Sequence, residues 1–258
     1  MKIKNNLIKG FLIDIDGVVL SSNKLINGSL NFISSLNKKK IPYRFLTNNT
    51  TKNKNQLVNK LKNAGLNINT NQIISAGIAG ISFLKKIGSP SSHLYLNETL
   101  SKEYSIFDKK KEDKKYVIVG DRGHDWNYKD LNKIFNLLMN GCELISLHKG
   151  KYFQKDNDLQ IDIGSIISAL EYCSGKKGTV IGKPSKEFYK IALDSLELNP
   201  KNVVMIGDDL FADIEGAQSL NINTILVKTG KFREEIFNNS LIKPDLLLES
   251  IQQINSLI

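Results

Sequence analysis

The stretch GFLIDIDGVVL, residues 10–20, decides the fold. Phe11, Leu12 and Ile13 form an apolar run suited to a buried strand, and the carboxylates Asp14 and Asp16 follow at i and i+2. Gly17 lets the chain turn away before Val18, Val19 and Leu20. Asp and Gly are ordinary turn residues, so the same letters also describe an exposed strand-end turn. Carboxylates at the mouth of an apolar strand are costly to bury unless a cation meets them. Two readings stand at this point, a solvated turn and a metal-assisted site.

Outward from this stretch the chain alternates. Residues 28–40 (GSLNFISSLNKKK) read as a helix, with Leu30, Ile33 and Ser34 at helical spacing and lysines at the negative end of its dipole. After Pro42, residues 43–49 (YRFLTNN) read as a second buried strand ending at Thr47. Thr50 or Thr51 is placed to cap the next helix, whose stripe is Leu57, Val58, Leu61 and Ala64, with Gly65 as its C-cap. A helical pattern over 77–87 stops at GSPSS (88–92), which reads as a linker. Strands at 93–96, 116–120 and 143–147 follow, with a helix through Leu131, Ile134, Phe135 and Leu138 and another over about 165–173. The charged run 109–115 reads as a solvated loop.

From Thr179 the first rhythm resumes. VIGKPS (180–185) leads into a helix carrying Phe188, Ile191, Ala192 and Leu196. VVMIGDD (203–209) repeats the strand-then-carboxylates layout, followed by a helix through Ile214, Ala217 and Leu220. NTILVKTG (223–230) is another strand, and a short strand and a helix close the chain. This order predicts an α/β fold: a Rossmann-like parallel-sheet core over 1–78 and 180–258, interrupted by an inserted α/β domain over 79–179.

Composition narrows the function classes. A net charge of +10 raises nucleic-acid binding as an option, but lysine dominates and only Arg44, Arg122 and Arg233 are arginine. Arginine is the usual reader of bases, so specific nucleic-acid recognition is not expected, and the excess charge suits anionic small molecules. No run approaches the roughly eighteen apolar residues of a membrane span, and no signal peptide is evident. Cys142 and Cys173 have no metal-ligand spacing, so free thiols and a cytoplasmic setting are expected. A homo-oligomer is compatible with these letters.

In doubly wound sheets the chemistry sits at the carboxyl ends of strands. Asp14 with Asp16, Thr47 with Asn48, Lys183, and Asp208 with Asp209 and Asp213 all fall there. Each has a plain alternative: Thr47 a turn residue, Lys183 a solvated amine, Asp208 and Asp209 helix caps, Asp213 a first-turn acid. Together they supply what phosphoryl transfer through a carboxylate needs. Asp14 and Asp208 can hold magnesium, a hard cation preferring oxygen, with the Asp16 backbone carbonyl as a further ligand. Lys183 can offset phosphate charge, while the Thr47 hydroxyl and the Asn48 N–H can hold its oxygens. That leaves Asp14 as nucleophile and Asp16 as general acid.

DIDGV, TNN, GKP and GDDLFAD, in that order, resemble the four motifs of the haloacid-dehalogenase-like hydrolase superfamily. The gap of about 135 residues between the second and third is similar to the subclass with a large α/β cap inserted there. The resemblance covers nearly the whole chain and is densest from Glu143 to Arg233. It implies a magnesium-dependent phosphatase acting on a small phosphorylated substrate, with Asp14 as nucleophile and Asp16 as acid/base. It further implies that Asp14, Asp16 and Asp208 bind Mg2+, that Thr47, Asn48 and Lys183 hold phosphate, and that Asp209 and Asp213 support them. The departure is in the cap, where Leu147-His148-Lys149 stands in place of a Thr-Asn pair.

Asp121, Arg122 and His124, in the loop GDRGHDW (120–126), are candidates for contacting substrate. The three histidines, His93, His124 and His148, share no ligand spacing. The rival of a different class is a non-catalytic phosphate-binding or scaffold protein of the same fold. Magnesium-dependent phosphate release discriminates between them.

Overall fold

The computed structural model describes residues 2–4, 6–108, 114–155 and 158–257, so most of the charged run 109–115 lies outside the described residues. The strands of its two larger sheets are β1 (Gly10–Asp14), β2 (Tyr43–Thr47), β3 (Ile73–Ser75), β4 (Ser92–Tyr95), β5 (Tyr116–Val119), β6 (Glu143–Ser146), β7 (Thr179–Val180), β8 (Val203–Gly207), β9 (Asn223–Val227) and β10 (Leu246–Leu248). The chain divides into two compact units, one of residues 1–47, 54–74 and 183–258, the other of 48–53 and 75–182.

The first unit is built on a six-stranded sheet of order β10-β9-β8-β1-β2-β3. Every residue of β1, β8 and β9 is buried, as expected of central parallel strands covered on both faces. From β1 the chain steps outward to β2 and β3, while from β8 it steps the other way to β9 and β10. The order therefore reverses between β1 and β8, which is where doubly wound sheets open a crevice at their carboxyl ends. Ile13 pairs with Ile206 across that junction and Asp14 pairs with Leu46 on its other side. Asp14, Thr47 and Asp208 thus end three adjacent strands at nearly one level.

The helix α1 (Ser29–Lys38) buries Ser29, Phe32, Ile33 and Leu36, and the Phe32 ring meets Phe11 edge-on at 5.4 Å. Leu30, counted above on the inner face, is 48% exposed: the face that packs is one residue off the expected stripe. The helix α2 (Lys54–Asn63) begins three residues beyond Thr51, so neither threonine caps it, while its stripe Leu57, Val58 and Leu61 is buried as expected. Gly65 ends it in the left-handed region at φ 105°.

The second unit carries a parallel sheet of order β7-β6-β5-β4. Its core is formed by Val117, Val119, Ile134, Leu138, Ile163, Ile167 and Leu170, from β5 and two flanking helices, Tyr128–Met139 and Gly164–Ser174. The unit boundaries differ from those expected. The helix Ala76–Lys86 belongs wholly to this unit, because the Tyr104 hydroxyl donates to the Gly77 carbonyl and Gly80 lies against Tyr104 and Leu147. GSPSS is consequently a turn inside the unit and not a linker. At the other end, Thr179–Val180 adds to β6, and the first unit resumes at Lys183. Residues 48–53 join the second unit through Thr50, whose hydroxyl accepts from the Asp121 N–H at 3.0 Å. The helix Glu98–Tyr104 and the hairpin Tyr152–Lys155/Asp158–Ile161 were not anticipated. Among the described residues no helix is long and apolar enough to cross a membrane.

Candidate active site

The residues after β1 form a tight, apolar turn, not a solvated one. Gly17 N–H donates to the Leu20 carbonyl at 2.7 Å, and Ile15, Val18, Val19 and Leu20 are buried. Asp14, at the end of β1, is buried with a side chain only 9% exposed. The alternative reading of an exposed strand-end turn is therefore overturned for Asp14.

Lys183 enters the same place from the start of the returning chain, where Ser185 caps the helix Lys186–Leu196 by accepting from Phe188 N–H. Its ammonium is buried, donates to Asp14 Oδ1, and reaches Asp213 Oδ1 at 2.7 Å. Lys183 is a buried, doubly paired cation and not a solvated amine.

Asp208 follows the last residue of β8. Beyond it the chain forms a π-helical turn, Leu210–Glu215, in which both the Asp213 and Ile214 N–H groups point at the Asp209 carbonyl. Such wide turns recur at functional sites because they rotate one side chain out of the regular helical register. Here the turn buries Ile214 in the core and swings Asp213 back beneath the strand end, where it accepts from Asp209 N–H at 3.1 Å. Tyr189 steadies the turn from the neighbouring helix, its hydroxyl donating to the Ala212 carbonyl at 2.8 Å. Asp209 itself caps the turn, accepting from Phe211 and Ala212 N–H, so its plain reading as a cap holds.

Asp14, Asp208 and Asp213 each offer a carboxylate oxygen, and these atoms lie within 4.8 Å of one another. Burial pushes the Asp14 carboxyl up to about 7, with Lys183 working against it and Asp213 adding to it. Burial raises Asp208 well above the usual carboxylate range, reinforced by Asp14 and Asp213, and raises Asp213 as well. Lys183 stays protonated: burial disfavours its charge, but Asp14 and Asp213 lift it well above an ordinary lysine. Three buried carboxylates thus face one buried ammonium, a deficit that a divalent cation would balance. The donors are all hard oxygens, as magnesium prefers. Asp213 has both oxygens engaged, by Lys183 and Asp209 N–H, whereas the bonds described for Asp14 and Asp208 use one oxygen each. That division leaves Asp14 and Asp208 each with an oxygen that could hold a metal, while Asp213 anchors Lys183.

The other expected site residues lie elsewhere. The Asp16 carboxylate is not in the cluster: it is 60% exposed and paired with Lys60 Nζ at 2.7 Å. Thr47 is buried at the end of β2, one residue beyond the partner of Asp14, and Asn48 falls in the second unit beside Gly182. In the loop 120–126, Asp121 accepts from Gly123 N–H. Arg122 is taken up by Asp130 at 2.8 Å and stacks over Trp126, which makes it a structural residue of that loop. His124 is exposed. His148 is buried, its Nδ1 accepting from Gly150 N–H with Nε2 3.6 Å from Asp162. Both cysteines are free.

Three participants went unnoticed in the sequence: Lys60, Tyr189 and the Thr229-Gly230-Lys231 loop. Lys231 N–H donates to Asp208 Oδ2 at 2.7 Å, and its ammonium stands 3.6 Å from Asp209. The only signal for this loop was the run KTG at a strand end.

Comparison with known proteins places this geometry in context. A family model described as haloacid dehalogenase-like hydrolase matches residues 11–125, and one described as HAD-hydrolase-like matches 180–254. The human phospholysine phosphohistidine inorganic pyrophosphate phosphatase is 32% identical over 257 residues, 97% of this chain and 94% of that protein. The mouse haloacid dehalogenase-like hydrolase domain-containing protein 2 is 30% identical over 88% of this chain and 86% of its own length. The crystal structure of a 4-nitrophenylphosphatase from Thermotoga maritima superposes with a TM-score of 0.89 at 25% identity, covering 96% of this chain and 97% of that one.

Proposed function

Because the chain belongs to the haloacid dehalogenase-like hydrolases, we propose that its buried cluster is the active site of a magnesium-dependent phosphatase working through an aspartyl-phosphate on Asp14. The observation that carries this reading is the Asp14–Lys183–Asp213 arrangement at the reversal point of the sheet, with Asp208 alongside.

The residues divide the work. Lys183 holds the Asp14 carboxylate in place and keeps it ionised at the moment of attack, against a burial that favours the neutral acid. The same ammonium draws the phosphoryl oxygens toward Asp14, and the Thr47 hydroxyl and Asn48 N–H hold them in line. Asp16 protonates the leaving oxygen, then takes a proton from the water that hydrolyses the aspartyl-phosphate. Its solvent-facing place beside Lys60 suits that alternation, because proton exchange with bulk water needs access. Asp14, Asp208 and the Asp16 carbonyl would hold magnesium, which when bound neutralises charge on the transferring phosphoryl group. Candidate substrates are small phosphomonoesters, phosphoramidates and pyrophosphate. The inserted unit chooses among them, the core doing the chemistry.

Metal removal tests the reading. Chelation is expected to abolish phosphate release, added magnesium to restore it, and calcium to substitute poorly because its looser coordination misplaces an in-line transfer. Magnesium is also expected to raise the melting temperature, by relieving repulsion among the carboxylates. At a hundredfold excess over its Kd the stabilisation is about 2.7 kcal/mol. Full activity in excess chelator would sink the assignment.

Selectivity gives a second test. Asp121→Ala and His124→Ala are expected to change the kcat/KM ratio between two natural-type phosphates about tenfold, the scale of one or two pocket contacts. Turnover of a small aryl phosphate should change much less. Arg122→Ala, by contrast, is expected to lower the stability of the second unit, since it removes both the Asp130 pair and the Trp126 stack. Equal losses on every substrate from Asp121→Ala and His124→Ala would make the loop structural.

A further inference from the structure

The loop after β9 closes on the acidic cluster from a side that the phosphatase reading does not use. Thr229 donates its hydroxyl to the Gly17 carbonyl, tying the loop to the turn that follows Asp14 and Asp16. Two residues on, Lys231 N–H donates to Asp208 Oδ2. Between these ties the Asp208 carboxylate is pressed between two glycines. Both have positive φ, 99° at Gly17 and 59° at Gly230. A Cβ on Gly17 would stand 2.7 Å from Asp208 Cγ, and a Cβ on Gly230 would stand 2.9 Å from Cγ and 2.6 Å from the Gly17 Cα. Either would also overlap Oδ2. No side chain fits at these two positions while the carboxylate stays where it is.

We propose that Thr229-Gly230-Lys231 is a positioning strap for the metal centre: it fixes Asp208 by its Oδ2, leaves the other oxygen to face the ion, and so sets the affinity for the divalent cation. The inference rests on the reading of Asp14 and Asp208 as ligands. A carboxylate buried among other carboxylates would otherwise rotate to reduce repulsion, and each rotamer lost to the free state lowers affinity for the ion. The double glycine contact and the Lys231 N–H together restrict that rotation. The Lys231 ammonium makes no bond in this hold, which comes from the backbone N–H; its charge favours the ionised Asp208 carboxylate and, at the rim, works against a second cation.

Three variants separate these contributions, with Mn2+ as the probe and its free electron paramagnetic resonance signal as the readout. Groups that orient a metal ligand are typically worth 10–100-fold in affinity. Gly230→Ala is expected to raise the Kd for Mn2+ by about 30-fold or more, and Thr229→Val by about tenfold, with Thr229→Ser restoring most of the loss. Lys231→Ala retains the N–H and is expected to bind Mn2+ as tightly as the parent protein or more so. Melting temperatures in excess chelator should separate Thr229→Val from the parent by no more than a few degrees, which excludes general unfolding as the cause. Mn2+ binding that survives Asp208→Asn undisturbed would overturn the ligand assignment itself. Normal Asp208-dependent binding in the parent, with an unchanged Kd in Thr229→Val and in folded Gly230→Ala, would overturn the strap alone. A loss in Lys231→Ala as large as in Thr229→Val would overturn the assignment of the hold to the backbone N–H.

Discussion

Asp14→Asn is expected to end phosphate release from every ester, a loss of about 10⁵-fold or more, whereas Asp16→Asn stops after one burst. The asparagine at 14 has no anionic oxygen with which to attack phosphorus, and no leaving group repairs that. It also removes a carboxylate from the set that faces Lys183, so the protein should stay folded while losing the reaction. Asp16 differs in place as well as in role: its carboxylate is exposed beside Lys60, outside the buried cluster. Its loss should matter in the first step chiefly for poor leaving groups such as alkoxides. An acidic phenol departs without much help, so aryl phosphates should still phosphorylate Asp14 in the Asp16→Asn protein. Water attacking the aspartyl-phosphate has no such escape, because it still needs a base. Rapid mixing should therefore show close to one equivalent of phenol per site and then a stall, with intact mass raised by one phosphoryl group. Steady turnover without accumulated phosphoenzyme, or no burst at all, would remove Asp16 from this double role.

Lys183→Ala is expected to lower turnover by at least two orders of magnitude, the usual worth of a preorganised charge at a reacting centre. The structure adds a second consequence. Lys183 joins Asp14 to Asp213, so its removal leaves three buried carboxylates without their one internal cation. Breaking one partner out of a buried pair typically costs about 3–5 kcal/mol. The carboxylates will escape part of that cost by taking up protons, which they already favour through burial. The variant should therefore be less stable than the parent at neutral pH and regain stability as the pH is lowered, since protonating these acids relieves the repulsion. Lys183→Arg should also turn over poorly, because a planar fork does not replace a point charge in a pocket this tight. Near-native turnover in Lys183→Ala would end the assignment.

Much of this molecule was legible in one dimension, for a definable reason. The alternation of strands and helices is written in local periodicity, and the carboxyl ends of β1 and β8 are marked by Asp14 and Asp208 where the apolar runs stop. Sheet ends are where doubly wound folds do chemistry, so strand-end position alone picked out Asp14, Thr47 and Asp208 as candidates. The helix face was less secure. Leu30 and Ile33 have the correct spacing, yet Leu30 faces outward while Phe32, Ile33 and Leu36 fill the core, because the ring that fits against Phe11 sets the helix rotation.

Partnership was not legible. Lys183 lies 169 residues from Asp14 and 30 from Asp213, and only the folded sheet, with the segments that lead out of it, brings the three together. The sequence alone determined the fold class, the strand ends and the residue types available there. Tertiary structure decided which acid serves which purpose. A π-helical turn carried Asp213 to Lys183, the Asp16 carboxylate went outward to Lys60, and a glycine-lined loop closed on Asp208. The physical reason is that periodicity and strand ends are properties of about ten consecutive residues. Burial, charge pairing and side-chain orientation belong to neighbours that the chain brings together only once the sheet has formed.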